Sequence, residues 1–190
     1  MNKHNLQQRQ PALFLDRDGV INVDKGYIYK PEQVEFIDGI FDICRYSQQH
    51  GYRIFIITNQ SGIARGYYTE QDFHQLTDWM CDAFHQENII IDHVYFCPYH
   101  AEHGIGHYKQ DSPNRKPNPG MLFNAAAQYH IDLARSILIG NSPCDIQAGL
   151  SAGIQLNILL TSTHHLFQRD HRVKCVSDLR AAHKILVTHM

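Results

Sequence analysis

Apolar and polar positions along this chain follow two rhythms that alternate from end to end. Mostly apolar runs at 12–15, 53–57, 91–96, 136–139 and 154–160 have the length expected of strands covered on both faces. Between them lie stretches whose apolar residues recur at helical spacing. After Asp38, a suitable N-cap, Ile40, Phe41, Ile43 and Cys44 share one face, and Gly51 suits the position just past the last turn. Thr69 and Asp72 have capping-box spacing ahead of a helix to Gln86, which buries Phe73, Leu76, Met80, Ala83 and Phe84 and leaves Trp79 at its edge. Asn118 as cap and Pro119 as first helical residue open a helix over 121–129; Ser142 and Pro143 open another that runs to about residue 152 and stops at Gly153. A short strand at 173–176 and a helix at 178–186 follow, while 20–36, with Gly26 and Pro31, reads as a loop or small hairpin flap. The tract 161–172 shows no clear rhythm. This alternation predicts an α/β fold, a Rossmann-like parallel sheet with helices on both faces.

Parallel connections place every strand's C-terminal end on one edge of the sheet, so residues distant in sequence can meet there. The first strand stops at Asp16-Arg17-Asp18-Gly19, where the two acids alternate along an extended segment and Arg17 points elsewhere. Two converging carboxylates repel unless a cation joins them; an Asp-Gly turn ending an ordinary strand is the plain alternative. A calcium-binding EF-hand loop is excluded, because a third acid or amide before the glycine is missing and Tyr27 stands where the loop's Glu belongs. The second strand ends in Thr58-Asn59-Gln60-Ser61-Gly62-Ile63-Ala64-Arg65-Gly66, whose small side chains leave backbone N–H groups open to an anion, though a polar surface loop has the same composition. Arg115 and Lys116 precede a helix start, either facing a bound anion or simply solvated. The fourth strand runs into Gly140-Asn141-Ser142-Pro143-Cys144-Asp145.

Composition narrows the reading. At 190 residues with 43% hydrophobic and 19% charged content, the chain suits a single domain, 1–190, with its core at about 11–160. A formal net charge of −2 and the lack of a basic run argue against a nucleic-acid partner. No segment approaches a membrane span, and the polar, glutamine-rich start lacks a signal-peptide core, so a cytoplasmic protein without a membrane partner is expected. Five scattered cysteines, never in a C-x-x-C pair, read as reduced thiols.

Asp16-x-Asp18-Gly19, strand-terminal Thr58, Lys116, and Gly140 with Asp145 resemble the four motifs of the haloacid dehalogenase superfamily of phosphatases. Within it, the stretches FLDRDGVINVD, TNQSGIARG and RKPNPGM are similar to the heptose bisphosphate phosphatases and the related histidinol phosphatases. The chemistry that these residues suit is phosphomonoester hydrolysis in two steps. Asp16 would attack phosphorus, Asp18 would protonate the leaving group and later activate water, and Thr58 and Lys116 would stabilise the phosphoryl oxygens. Mg2+ would be held by Asp16, the Asp18 carbonyl, Asn141 and Asp145, and Arg115 would grip a second phosphate or orient the substrate. The resemblance further implies substrate contacts from Asp24, Lys25, Gly26, Tyr27, Asn59, Gln60, Ser61 and Arg65. It also implies a capless fold, since 16–58 and 97–114 are too short to hold a lid domain. A small phosphorylated sugar is the expected partner and a monomer the expected state.

Two positions depart from the family's pattern. Asn141 stands where the family usually carries a metal-binding Asp, so weaker Mg2+ affinity is expected, and a weakly active or non-catalytic phospho-sugar-binding homologue is the alternative. Close relatives often carry Cys-x-His and Cys-x-Cys zinc ligands; the matching positions here are Cys97, Tyr99, Ser112 and Asn114, so the usual zinc site is expected to be absent. Cys97, His100, His103 and His107 could in principle form a replacement, against the plainer reading of a histidine-rich solvent loop. Heptose bisphosphate is the first substrate expectation and histidinol phosphate its nearest competitor. A nucleic-acid 3′-phosphatase would need a basic groove that the charge balance does not supply.

Overall fold

A computed structural model describes residues 9–161, 167 and 170–190. Six strands, β1 (Ala12–Leu15), β2 (Arg53–Asn59), β3 (His93–Cys97), β4 (Ile137–Gly140), β5 (Leu156–Leu160) and β6 (Val173–Val176), form one sheet in the order β3-β2-β1-β4-β5-β6. Every neighbouring pair is parallel, with Leu15 opposite both Ile56 of β2 and Ile139 of β4. Alternate strand residues feed two separate cores, which is why the runs had to be apolar throughout. Leu13, Leu15, Ile54, Ile56, Ile137 and Ile139 pack on one face under α1 (Ile40–Gln49), α3 (Glu70–Gln86) and α6 (Leu179–His189). Ala12, Phe14, Phe55, Ile57 and Leu138 pack on the other under α4 (Gly120–Tyr129) and α5 (Pro143–Ser151). Phe14 and Phe55, both fully buried, stack at 5.5 Å; truncating either to Ala would cost about 3–5 kcal/mol.

The chain winds outward from β1 through β2 to β3, then returns to lay β4 beside β1 and winds the other way. Strand order therefore reverses between β1 and β4, which opens a crevice beyond their C-terminal ends. Between Leu15 and Ile40 there is only one turn of 3₁₀ helix, and between Cys97 and Gly120 only another, so neither segment forms a folded lid over that crevice.

Several boundaries differ from the sequence reading. β2 runs two residues past Ile57, because Thr58 and Asn59 continue to pair with Phe96 and Cys97. A helical turn, α2 (Ser61–Ala64), then replaces the expected loop. Helix α1 is entered through Gly39 at φ +89°, a left-handed conformation that favours glycine, and Asp38 lies outside it, paired with Arg180 at 2.8 Å. Pro119 is itself the cap of α4, while Asn118 turns back to donate to the Ser112 carbonyl at 3.0 Å. β3 begins at His93, β4 at Ile137 and β5 at Leu156, each later than expected. Ser136 instead receives the Ala12 N–H on its hydroxyl, 3.0 Å away. Ala83 is half-buried, not enclosed. The Thr69–Asp72 capping box and the Ser142/Pro143 opening of α5 form as expected, and Trp79 stacks on Phe36 at the edge of its helix. The expected starting segment, and most of 161–172, lie outside the described residues. Among the described residues, no helix is long and apolar enough to cross a membrane.

Candidate active site

The strand ends bring together charges from distant parts of the chain. Asp16 extends the β1–β4 ladder by one step, donating its N–H to Ile139 at 3.0 Å, so its carboxylate sits over the reversal point. Its Oδ1 accepts from the Lys116 ammonium at 2.8 Å. Lys116, only 3% exposed, also donates to Asp145 Oδ1 at 2.7 Å and to the Ile57 carbonyl at 2.9 Å, which uses all three of its protons. Its backbone is held in turn by Asn59, whose side-chain amide bonds the Lys116 C=O and N–H, both at 3.0 Å. The extension of β2 to Asn59 is what makes that clamp possible. Asp145, fully buried, turns its Oδ2 to the Ser142 N–H at 2.9 Å, the Ser142 hydroxyl at 2.8 Å and the Asn141 N–H at 3.2 Å.

Electrostatics follow from this packing. Burial pushes the Asp16 carboxyl well above the usual carboxylate range; Lys116 pulls it back, and Asp145 and Asp18 raise it again. Burial alone would lower the Lys116 pKa, but Asp16 and Asp145 hold it above its ordinary value. For Asp145 burial opposes ionisation, yet Lys116 and the Ser142 donors keep its carboxyl below the usual range. The trio is thus one cation shared by two acids, of which Asp16 is the more readily protonated.

Asp18 is held by three side chains. Arg17 forks onto both its oxygens at 2.8–3.2 Å, Asn22 donates at 3.1 Å and Gln60 donates at 3.1 Å. Arg17, expected to point elsewhere, is 2% exposed and also donates to the Ile28 carbonyl at 3.0 Å, anchoring the 20–36 flap to the first strand's end. Nothing in an isolated D-R-D triplet signals that a middle residue folds back onto its neighbour.

These groups floor a cavity of about 440 Å³ whose lining includes Asp16, Asp18, Thr58, Lys116, Asn141 and Asp145. Asp24, Gly26 and Tyr27 reach its rim from the flap, and Asn59, Gln60 and Ser61 from the end of β2. Tyr67, which the sequence reading passed over, meets Tyr27 edge-to-face at 4.6 Å. Lys25 lies outside the lining, paired with Glu35 at 2.9 Å. Arg65 and Arg115 lie outside it as well; Arg115 lines a neighbouring hollow of about 270 Å³ together with His100 and Lys116.

Three comparisons place this geometry among known proteins. A family model described as HAD-hydrolase-like, for haloacid dehalogenase, matches residues 113–184. Over 149 residues, 78% of this chain and 79% of the relative, the sequence is 52% identical to the D-glycero-alpha-D-manno-heptose-1,7-bisphosphate 7-phosphatase of Burkholderia mallei. Over 151 residues, 80% of this chain and 81% of the relative, it is 46% identical to the D-glycero-beta-D-manno-heptose-1,7-bisphosphate 7-phosphatase of Vibrio cholerae. The chain belongs to the haloacid dehalogenase-like phosphatases. Its fold superposes with a TM-score of 0.80 on the D,D-heptose 1,7-bisphosphate phosphatase of B. bronchiseptica, solved with magnesium and phosphate, at 28% identity over 95% of this chain and 99% of that one.

A haloacid dehalogenase-like phosphatase of this kind implies a divalent metal, and the donor set fits a hard cation. The Asp16 carboxylate, the Asp18 carbonyl and the Asn141 amide all supply oxygen. Asn141 is pressed against the turn that carries both acids: a Cβ on Gly19, which sits at φ +84°, would lie 2.0 Å from the Asn141 amide nitrogen. Only a glycine leaves room for that approach. Among the described residues no three of His, Cys, Asp and Glu are placed to hold a metal by themselves, so the carbonyl and the amide are needed. The same holds for the outer loop, where Cys97, His100, His103 and His107 do not gather. Cys97 is buried with its thiol toward the Tyr99 carbonyl, His100 lies against His103 at 4.6 Å, and His107 stacks on Tyr108. No disulfide forms among the described residues; Cys144 lines the cavity, and burial pushes its thiol up, away from the reactive thiolate.

Proposed function

We propose that this phosphatase removes the 7-phosphate of D-glycero-D-manno-heptose 1,7-bisphosphate, preferring the α-anomer, through an aspartyl-phosphate on Asp16. The observation that carries the reading is the 2.8 Å contact between the Asp16 carboxylate and the Lys116 ammonium on the floor of one cavity. A nucleophile and a cation for the developing phosphoryl charge share one space there. Asp16 attacks phosphorus. Lys116, fixed by Asp145 and the Ile57 carbonyl, turns to a phosphoryl oxygen the proton it lends to Asp16 as Asp16 bonds to phosphorus, and the Thr58 hydroxyl donates to another. Asp18 gives its proton to the leaving alkoxide and later takes one from water, and the fork from Arg17 holds its carboxylate beside the reacting centre. Mg2+, bound by Asp16, the Asp18 carbonyl and Asn141, would reduce the repulsion between an anionic nucleophile and an anionic ester.

A second phosphate on the substrate is supported by the cavity's outer side. Arg65 and Arg115 meet no carboxylate among the described residues, although both are half-buried. His100 accepts from the Glu102 and His103 N–H groups on Nδ1, both at 3.2 Å, so its neutral ring presents Nε2–H. Burial, then the nearby Arg115, His103 and Arg65, lowers the His100 pKa. Unpaired cations gathered beside a phosphate site suit a bisphosphate better than a monophosphate such as histidinol phosphate. The α preference rests on identity, 52% to the α-anomer relative against 46% to the β-anomer one.

Phosphate release from purified α- and β-bisphosphates, with histidinol phosphate as control, tests the reading. Faster turnover of the α-bisphosphate, lost in Asp16→Asn, is the expected result. Faster turnover of histidinol phosphate, or none of any ester, would overturn it.

A further inference from the structure

Gln60 lines the cavity, yet its side chain is 2% exposed and its amide is spent inside the protein. One face of the amide nitrogen donates to the Thr58 hydroxyl at 2.7 Å and to Asp18 Oδ2 at 3.1 Å. Its oxygen accepts from the Tyr68 phenol. With Asp18 ionised under the Arg17 fork, the amide turns its nitrogen to Asp18, because a carboxylate only accepts. Tyr68 itself has no freedom. It is 6% exposed, stacks on Tyr29 at 5.3 Å and 9°, and lies so close to Gly62 that a Cβ there would fall 2.2 Å from its ring.

The consequence falls on Thr58. A hydroxyl has one proton, and an oxygen that accepts from Gln60 must send that proton elsewhere. Thr58 is 1% exposed and lines the cavity together with Asp16 and Lys116. We propose that Gln60, locked by Tyr68, is a positioning residue that sets the Thr58 hydroxyl as a donor to the substrate phosphate, and does not read the sugar.

This rests on the proposed role of Thr58 but not on the heptose as substrate, so the test uses 4-nitrophenyl phosphate with Mg2+. That ester carries no sugar, and its leaving group needs no proton, which removes the acid role of Asp18; its later role as base is separated by the Thr58→Val background, in which an effect through Asp18 would persist. Gln60→Met is expected to lower kcat about 10-fold and Tyr68→Phe about 3-fold, with KM little changed, since the affected interaction strengthens in the transition state. In a Thr58→Val background the same changes should have less than about 2-fold effect, because the donor they orient is gone. Effects that add fully in the Thr58→Val background would overturn the proposal. So would a Gln60→Met enzyme with normal aryl phosphate turnover and a raised KM for the bisphosphate, the signature of a sugar contact. Tyr68→Phe keeps the ring and its packing, so it reports even if Gln60→Met folds poorly. Failure of the heptose reading alone would show as slow bisphosphate turnover with these aryl phosphate ratios intact.

Discussion

The floor of the cavity and its outer side both carry concentrated charge, and they handle it in opposite ways. On the floor, Lys116 and Asp145 are sealed, every Lys116 proton has an acceptor, and both Asp145 oxygens have donors. On the outer side Arg65 and Arg115, with the neutral His100 near them, sit half-exposed and form no ion pair among the described residues, although Glu102 and Asp111 line the same hollow as Arg115. Compensated, immobile charge suits a group that must meet a transition state without moving. Uncompensated charge at a rim suits a group that waits for a ligand. On the proposed function, the two regions would divide the labour into reaction below and selection above.

The sharpest way to break that division is at the floor. Asp16→Asn should reduce turnover of every phosphate ester at least ~1000-fold while the fold persists, as the amide oxygen still accepts from Lys116. Comparable loss on one ester only would put Asp16 in recognition. Lys116→Met strands two facing buried carboxylates and should cost about 3–5 kcal/mol in urea unfolding. A cost below about 1 kcal/mol would mean that the floor is wetter and less locked than its burial implies. At the rim, His100→Ala should lower kcat/KM for the bisphosphate on the order of 10-fold more than for 4-nitrophenyl phosphate; equal losses would move His100 from selection to structure. Asn141→Asp adds a full charge between the two regions and should tighten Mg2+ on the order of 10-fold by calorimetry, read on the protein without substrate. An unchanged affinity would remove Asn141 from the ligand set. The smallest effect belongs to the outer loop's own anchoring. Tyr108 donates to Glu70 at 2.9 Å, so Tyr108→Phe should cost about 1 kcal/mol and raise proteolysis within 97–114. No change in nicking would leave the loop held by its backbone contact, Ile105 N–H to the Ala64 carbonyl at 2.9 Å, instead.

Much of the fold was legible because its cause is local or nearly so. Continuous apolar runs required strands covered on two sides, and the caps at Thr69 and Ser142 announce themselves within four residues. The motif residues Asp16, Thr58, Lys116 and Asp145 were legible as candidates that one sheet edge could gather, and the structure places all four in the lining of one cavity. What escaped were residues whose partners come from elsewhere or whose side chains double back. Arg17 closes on Asp18, Asn59 clamps the backbone of Lys116, and Gln60 turns inward to Tyr68. For the last two the family resemblance implies substrate contacts, and a motif match carries no information on where an amide turns. The cap at Gly39 was missed for a similar reason, since Asp38 looks like a better cap until the left-handed turn is seen.

By itself the sequence determined the alternation of strands and helices, the placing of carboxylates, hydroxyls and cations at strand ends, and so the class of reaction. Those depend on periods of two and 3.6 residues and on backbone direction, which short segments encode. The tertiary structure alone decided which charges are spent on each other and which are left for a ligand. Hydrogen-bond satisfaction is a property of three-dimensional neighbours, and one ammonium can be saturated by Asp16 after β1, the Ile57 carbonyl of β2 and Asp145 of α5 only after the sheet has brought them together.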